Sequence, residues 1–323
     1  MGDVRSRLGV VAIGRNEGER LKRCLASVSP DVPLVYVDSG SSDGSVEYAR
    51  GRGAEVVELD MTRPFTAARA RNEGLERLGF FHPSVEFVQF LDGDCEVEAG
   101  WFDTAIAALD KDRAAAAVCG RRRERFPEAS FYNRLCDEEW DTPVGEAIAC
   151  GGDATMRVKA LQSVEGYDPV IIAGEEPELC HRLRAAGWHI YRLNAPMTIH
   201  DANMHSIRQW WLRAVRSGFG YAQVWRKTAS SGGNSLYGAE LGRAFFWAIG
   251  VPMLGGALAA IFSPLWLLTI PALWFMQIAR LAIRSGLRKA TLLLVGKLAE
   301  ALGAIRFVLT AVGGRRPGAI YYK

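Results

Sequence analysis

Residues 85–97 read VEFVQFLDGDCEV. A short apolar run rich in β-branched and aromatic residues reads as a buried strand. It ends in two carboxylates, Asp92 and Asp94, one glycine apart. Asp-Gly is ordinary turn chemistry and closes many strands. The same pair also suits a hard divalent cation, which takes carboxylate oxygens. What lies on either side of this stretch decides its meaning.

Upstream, LGVVAIG, PLVYVD and AEVVELD are three more strand-like runs. Helix-like segments separate them. Asn16 is expected to cap the first, which lines up Leu21, Leu25 and Val28. Thr66 is expected to open another over FTAARARNEGLERLGF. Downstream, AGWFDTAIAALDKD reads as helix and RAAAAVCGR as strand. Strands alternating with helices predict an α/β fold with a mainly parallel, Rossmann-like sheet. Ligands of such sheets bind beyond the carboxyl ends of the strands, where Asp38 and Asp92 both fall.

The pattern loosens after residue 120. Residues 121–143, RRRERFPEASFYNRLCDEEWDTP, are charged and aromatic and read as a long loop or lid. GEEPELCHRLRAAGWHIYRL reads as a helix with acids in its first turn, a glycine stop and a strand.

The tail differs in kind. No charged residue occurs from Ala244 to Ala279. At 1.5 Å per residue, a hydrocarbon core of about 30 Å needs about 20 residues, so the stretch suits two spans. The sequence predicts a hairpin of helices over about 244–262 and 264–281, turning at Ser263–Pro264, then an amphipathic helix over about 290–312. Before it, residues 206–243 mix Trp210, Trp211 and Trp225 with Arg208, Arg213, Arg216 and Arg226, as interfacial helices do. Arg280, Arg284, Arg288 and Lys289 follow the hairpin. By the positive-inside rule that loop, and the body before the hairpin, face the cytoplasm. The expectation is an integral protein of the cytoplasmic membrane.

Charge divides the same way. Residues 244–323 carry a net +8, whereas residues 1–243 carry −5. An acidic body with a basic, apolar tail speaks against nucleic acid as partner and suits a membrane surface. The start of the chain has no long apolar run of the secretory kind. Six scattered cysteines, with no CxxC pair, read as reduced core residues. There is no P-loop, no strand-linked GxGxxG and no EF-hand loop.

VVAIGRNE, VYVDSGSSDGS, ARARNEGL, FLDGDC, GGDATMR, GEEPELCHRLRAAG and TIH follow one another in the order and spacing of a known family. Over about residues 8–205 the chain resembles the family-2 glycosyltransferases, which have the GT-A fold. The resemblance implies a GT-A domain over 1–205 and a nucleotide-sugar donor, UDP-linked by default. Asn16, Glu17 and Asp38 match the positions that hold base and ribose, and Arg69 and Arg71 those beside the diphosphate or base. Asp94 matches the ligand of a Mn²⁺ or Mg²⁺ ion, and Asp92 a contact to ribose or to metal-bound water. His200 matches a histidine that completes the metal shell, with His205 as rival. Glu176 matches the general base, with Glu175 second. Asp153 stands where Asn is frequent; it positions the acceptor hydroxyl or caps a turn. Arg213 or Arg216 would meet the leaving group or a lipid phosphate.

The Gln-x-x-Arg-Trp pattern of processive synthases is missing from RQWWLRAVRSG. With only two strong apolar spans, that implies addition of one sugar to a lipid-linked saccharide or glycolipid of the cell envelope; the family resemblance itself implies inversion. Two other readings stand beside it: a catalytically silent, membrane-anchored nucleotide-binding domain, and a sugar-1-phosphate nucleotidyltransferase. AIGRNEGER fits the latter's Gly-rich basic loop poorly.

Overall fold

The computed structural model describes residues 4–229 and 235–313. Parts of two expected segments, 230–234 of the interfacial region and 314–323 of the membrane region, lie outside the described residues. The chain divides into two units, with the boundary between Ser206 and Ile207.

The first unit is built on one mixed sheet. Its leading strands are β1 (Leu8–Gly14), β2 (Leu34–Asp38), β3 (Glu55–Glu58) and β4 (Phe87–Asp92). All pair in parallel, in the order β3-β2-β1-β4. The helices between them are α1 (Glu19–Ala26), α2 (Ser45–Gly51) and α3 (Ala67–Phe81). β1 and β4 consist almost wholly of buried residues, which is why they read as continuous apolar runs. The Thr66 side chain accepts a hydrogen bond from Arg69 N and caps α3. Gly74 lets α3 lie close on the sheet, since a Cβ there would overlap Val11 and Val37. The chain leaves β1 toward β2 on one side, and β4 lies on the other. The crevice at their carboxyl ends is the switch point where ligands of open sheets bind.

One helix start differs from expectation. Gly18, not Asn16, precedes α1, and no side chain caps it. Asn16 is left-handed, with φ 53°, and its Oδ1 accepts from Ser42 N instead. An amide that tolerates this conformation ties β1's exit to the neighbouring loop.

The rest of the unit comprises β5 (Cys95–Val97), α4 (Trp101–Lys111), β6 (Ala115–Glu124), α5 (Phe131–Glu139), β7 (Gly145–Glu146), β8 (Thr155–Arg157), α6 (Val158–Ser163), α7 (Glu175–Ala185) and β9 (His189–His200). The sheet continues β4-β8-β6-β9-β5, with β7 beside β9. Only β6 and β9 pair in parallel here; the other pairings are antiparallel. The expected loop over 121–143 is therefore corrected. β6 runs on to Glu124, and α5 follows behind a Ser130 cap that accepts from Asn133 N. Charge hid the strand because its end carries buried ionic partners rather than apolar residues. All six cysteines are free and buried.

The second unit is helical: α8 (Ile207–Ala229), α9 (Gly238–Phe245), α10 (Val251–Ile261), α11 (Thr269–Ser285) and α12 (Leu287–Val312). A π-helical turn over Phe246–Gly250 joins α9 to α10, so Gly238–Ile261 is continuous helix. Pro264–Ser285 is the second long apolar helix. Both are long and apolar enough to cross a membrane, and their surfaces are largely uncovered. Ile261, Phe262, Leu265, Phe275 and Ile283 are all exposed. α8 and α12 instead pack tightly on each other. Gly218 meets the backbone at Glu300, and Gly303 meets the backbone at Val215.

Candidate active site

Three groups of side chains gather at the carboxyl edge of the sheet. The first lies where β1 and β2 end. Asp38 is buried, and its carboxylate accepts from Tyr36 Oη (2.9 Å), Gly40 N (2.9 Å) and Ser41 N (2.8 Å). Asn16 N donates to Ser41 Oγ at 2.9 Å, and Glu17 pairs with Arg20 at 2.6 Å. Asp38 thus holds the loop after β2 in shape, and Asn16 joins that loop to the end of β1.

The second group centres on Arg71, from α3, which is 2% exposed. Its Nη2 donates to Asp92 Oδ1 at 2.9 Å, and its Nη1 reaches Glu175 Oε1 (3.1 Å) and Glu176 Oε1 (2.9 Å). The Tyr167 ring lies beneath, 5.5 Å from the guanidinium carbon. One cation faces three carboxylates. Glu175 and Glu176 open α7, where Gly174 in the left-handed region (φ 83°) turns the chain and the helix dipole favours negative charge. Burial pushes the Glu176 carboxyl up to about 7; Glu175 adds to the rise and Arg71 opposes it. Gly152 admits this cluster, since a Cβ there would overlap Arg71 Nη2 and crowd Glu176 Oε1.

The third group is Asp94, Cys95 and His200, whose ligand atoms all lie within 4.8 Å of one another. His200 Nε2 is 3.3 Å from Asp94 Oδ1. Two ligands at right angles on a small divalent ion, with bonds of about 2.1 Å, stand about 3 Å apart, so this pair suits Mg²⁺ or Mn²⁺. Burial, reinforced by Asp94, raises the Cys95 thiol well above its ordinary value, and sulfur is a soft donor that suits a hard Mg²⁺ or Mn²⁺ ion less than oxygen or imidazole does. The Asp94 oxygen and the imidazole nitrogen are the two donors here whose chemistry fits such an ion. Asp92 points to Arg71 rather than into this pair.

Several expected site residues do other work. Arg69 donates to Glu73 and to the carbonyls of Asp60, Arg63 and Pro64, pinning the loop before α3. Four of its five N–H groups are engaged in this way. Asp153 is 1% exposed; Arg122 grips it through two nitrogens and Thr198 Oγ1 donates to it. It cannot meet an acceptor hydroxyl without exposing that pair, so its place is in the scaffold. His205 is exposed and lies 3.0 Å from Asn203 Oδ1, whereas His200 stands by Asp94. Arg213 and Arg216 lie on α8, in the second unit. Arg122 and Gly152 escaped the sequence reading, as did Glu124, a buried acid behind His200. Gly152 lies within GGDATMR, but the side chains it makes room for, Arg71 and Glu176, are distant in sequence, as are Asp153 from Arg122 and His200 from Glu124.

Comparison with known proteins bears on the fold that carries these residues. Residues 10–161 match the pattern of "Glycosyl transferase family 2". That stretch carries the family-2 glycosyl transferase domain. A "pre-mycofactocin glycosyltransferase" of Mycobacterium tuberculosis is 27% identical over 223 residues, which is 62% of this chain and 44% of that protein. "Succinoglycan biosynthesis protein ExoA" of Rhizobium meliloti is 25% identical over 214 residues, 61% of this chain and 63% of that one. The chain thus spans less than half the length of the first relative and under two thirds of the second. Among solved structures, a mannosyltransferase from Pyrobaculum calidifontis, in complex with GDP-Man and Mn²⁺, superposes with a TM-score of 0.63 at 19% identity. That match covers 93% of this chain and 87% of the other. At that identity the likeness shows a shared fold, and the family-2 domain here has the GT-A fold.

Proposed function

We propose that this protein is an inverting, metal-dependent glycosyltransferase that moves one sugar from a nucleotide-sugar to a membrane-associated acceptor. One observation carries the reading: Arg71 binds the first aspartate of the Asp-x-Asp turn and both acids of α7. A donor gripped at the switch point is thereby brought beside a carboxylate whose proton affinity is raised. The mannosyltransferase that shares the fold was solved with GDP-Man and Mn²⁺, which supports a nucleoside-diphosphate donor and a divalent ion.

In this reading Glu176 Oε takes the proton from an acceptor hydroxyl. The acceptor oxygen forms its bond to the anomeric carbon as the bond from that carbon to the diphosphate oxygen breaks. The electron pair leaves with the nucleoside diphosphate. Arg71 keeps Glu176 and Glu175 from swinging apart and holds Asp92 in line. Asp38, Asn16 and Glu17 shape the pocket for base and ribose. Asp94 and His200 would hold the metal, which when bound offsets charge on the departing diphosphate.

The second unit supports the acceptor class in this reading. Two long helices with uncovered apolar faces present far more apolar surface than a soluble domain leaves open. Set in a bilayer, with the basic loop after α11 on the cytoplasmic side, they hold the enzyme where lipid-linked saccharides and glycolipids lie. Arg213 and Arg216 on α8 are then placed on a basic, interfacial helix suited to a lipid phosphate.

The test uses the detergent-solubilised full chain with Mn²⁺, UDP-, GDP- and dTDP-sugars, and a membrane lipid extract. Nucleoside diphosphate is expected to appear with one donor class, to depend on the lipid, to stop with EDTA and to return with added Mn²⁺. Release of pyrophosphate instead would overturn the reading, and turnover indifferent to EDTA would remove its metal.

A further inference from the structure

His200 closes β9 between two strands. In register it stands beside Cys95 of β5 on one side and Glu124 of β6 on the other. Residues paired across strands put their side chains on the same face. Glu124 is a buried acid without a cation in hydrogen-bond contact among the described residues. Its Oε1 accepts from Phe126 N (3.1 Å) and Asn133 Nδ2 (3.2 Å), and its Oε2 accepts from Ala202 N (2.9 Å). Those donors satisfy three of about four lone-pair directions. His200 supplies the complement. Its ring is buried, its Nε2 faces Asp94, and its Nδ1 has no hydrogen-bond partner. That Nδ1 lies 4.0 Å from Glu124 Oε2, about 1 Å beyond a charge-assisted hydrogen bond. The Trp140 ring packs edge-on against the imidazole, with centroids 4.6 Å apart, and limits how the ring can turn.

We propose that Glu124 is the positioning residue of the metal pair: it takes the Nδ1–H of His200 and so aims the Nε2 lone pair at an ion shared with Asp94. This rests on the metal reading above. A buried donor and a buried carboxylate facing each other across 4.0 Å both gain when the ring settles on an ion and the gap closes. The bond fixes one tautomer and one ring orientation, which is what an outer carboxylate does for a ligating histidine. The same carboxylate holds Ala202 N, so the chain leaving β9 is tied to the orientation of its last residue. Asn133 Oδ1 accepts from Met204 N and extends the tie one step further.

The test is Mn²⁺ affinity of the solubilised full chain, read by electron paramagnetic resonance without any sugar donor, beside thermal unfolding of the same samples. Glu124→Gln keeps the shape and Oε1 but removes the charge facing Nδ1. It is expected to weaken Mn²⁺ binding by about 10- to 100-fold. Asn133→Ala is the structural control. It strips donors from the same shell and leaves Oε2 facing His200, so it should lower the unfolding temperature and change Mn²⁺ affinity less than threefold. Asp94→Ala and His200→Ala should remove the site. If Glu124→Gln binds Mn²⁺ like wild type while Asp94→Ala does not, the role given to Glu124 is wrong and the metal pair stands. If Asp94→Ala binds like wild type, the metal reading itself fails. Should Glu124→Gln not fold, selective ¹⁵N labelling of the wild-type histidines decides: with Mg²⁺ bound, His200 Nδ1–H must resonate far downfield, and an ordinary shift overturns the proposal.

Discussion

Arg71 and Arg122 are two covered guanidiniums in one domain, each gripping carboxylates, and they are built to opposite ends. Arg122 meets a single acid, Asp153, through two nitrogens, and Thr198 completes the carboxylate's shell. Burial alone would raise the Asp153 carboxyl, but the charge and hydrogen bonds of Arg122 overcome it, and the group sits below its usual range. Arg71 meets three acids, and Glu176 among them is left with its carboxyl raised. The balanced pair is scaffold. The unbalanced cluster holds a carboxylate that gains by taking a proton, which is what a general base must do.

That contrast breaks first at Glu176. Glu176→Gln should cost roughly 10³-fold in kcat with the fold intact, measured as nucleoside diphosphate release. A variant within tenfold of wild type places the base elsewhere. Next comes the scaffold pair. Asp153→Ala strands a buried guanidinium and should lower unfolding free energy by about 3–5 kcal/mol, read from thermal or urea unfolding. The sign with pH follows from the depressed carboxyl. The pair's stabilisation is present above the ordinary carboxylate range and fades as pH falls through the folded value.

The pH profile of turnover sharpens the comparison further. With the Glu176 carboxyl near 7 in the free protein, kcat/KM should fall about tenfold per pH unit below 7 and level off above it. A flat profile from pH 5 to 8 denies Glu176 its raised value. The smallest effect has the opposite sign to that at Asp153. Between the ordinary glutamate value and 7, the folded protein holds a proton that the unfolded chain has released, so stability declines as pH rises through that window. Glu176→Gln removes the penalty and should gain on the order of 1 kcal/mol at pH 8 and little at pH 4.

The two clusters also mark how far the sequence could be read. β1, β2 and β4 announce themselves because each is a continuous apolar run, and Thr66 announces α3 by its side chain. Asp92 and Asp94 stand out because charge ends a buried strand. Those signals are local. Arg71 and Glu176 are more than a hundred residues apart, and nothing in ARARN says which acids its guanidinium will face. Asp153 carries a motif position yet lies inside the scaffold, because only the fold brings Arg122 to it. The end of β6 was hidden for a related reason. Arg121 pairs with Asp137 of α5 and Arg122 with Asp153 in the turn before β8, and a charged run looks like loop until its partners are known. The antiparallel half of the sheet depends on strands of two and three residues, too short for any periodicity to show.

In the membrane setting proposed above, the crossing of α8 and α12 at Gly218 and Gly303 bears on how the protein behaves when it is extracted. Lipid tails and detergent chains compete readily for apolar side chains, since either partner is as oily as the other. They cannot insert where two backbones touch with no side chain between them. The hairpin of α10 and α11, whose outer surfaces are almost wholly uncovered, takes its setting from whatever surrounds it. Solubilisation should therefore loosen the hairpin before it parts α8 from α12, and the choice of detergent becomes a choice of what α10 and α11 rest against.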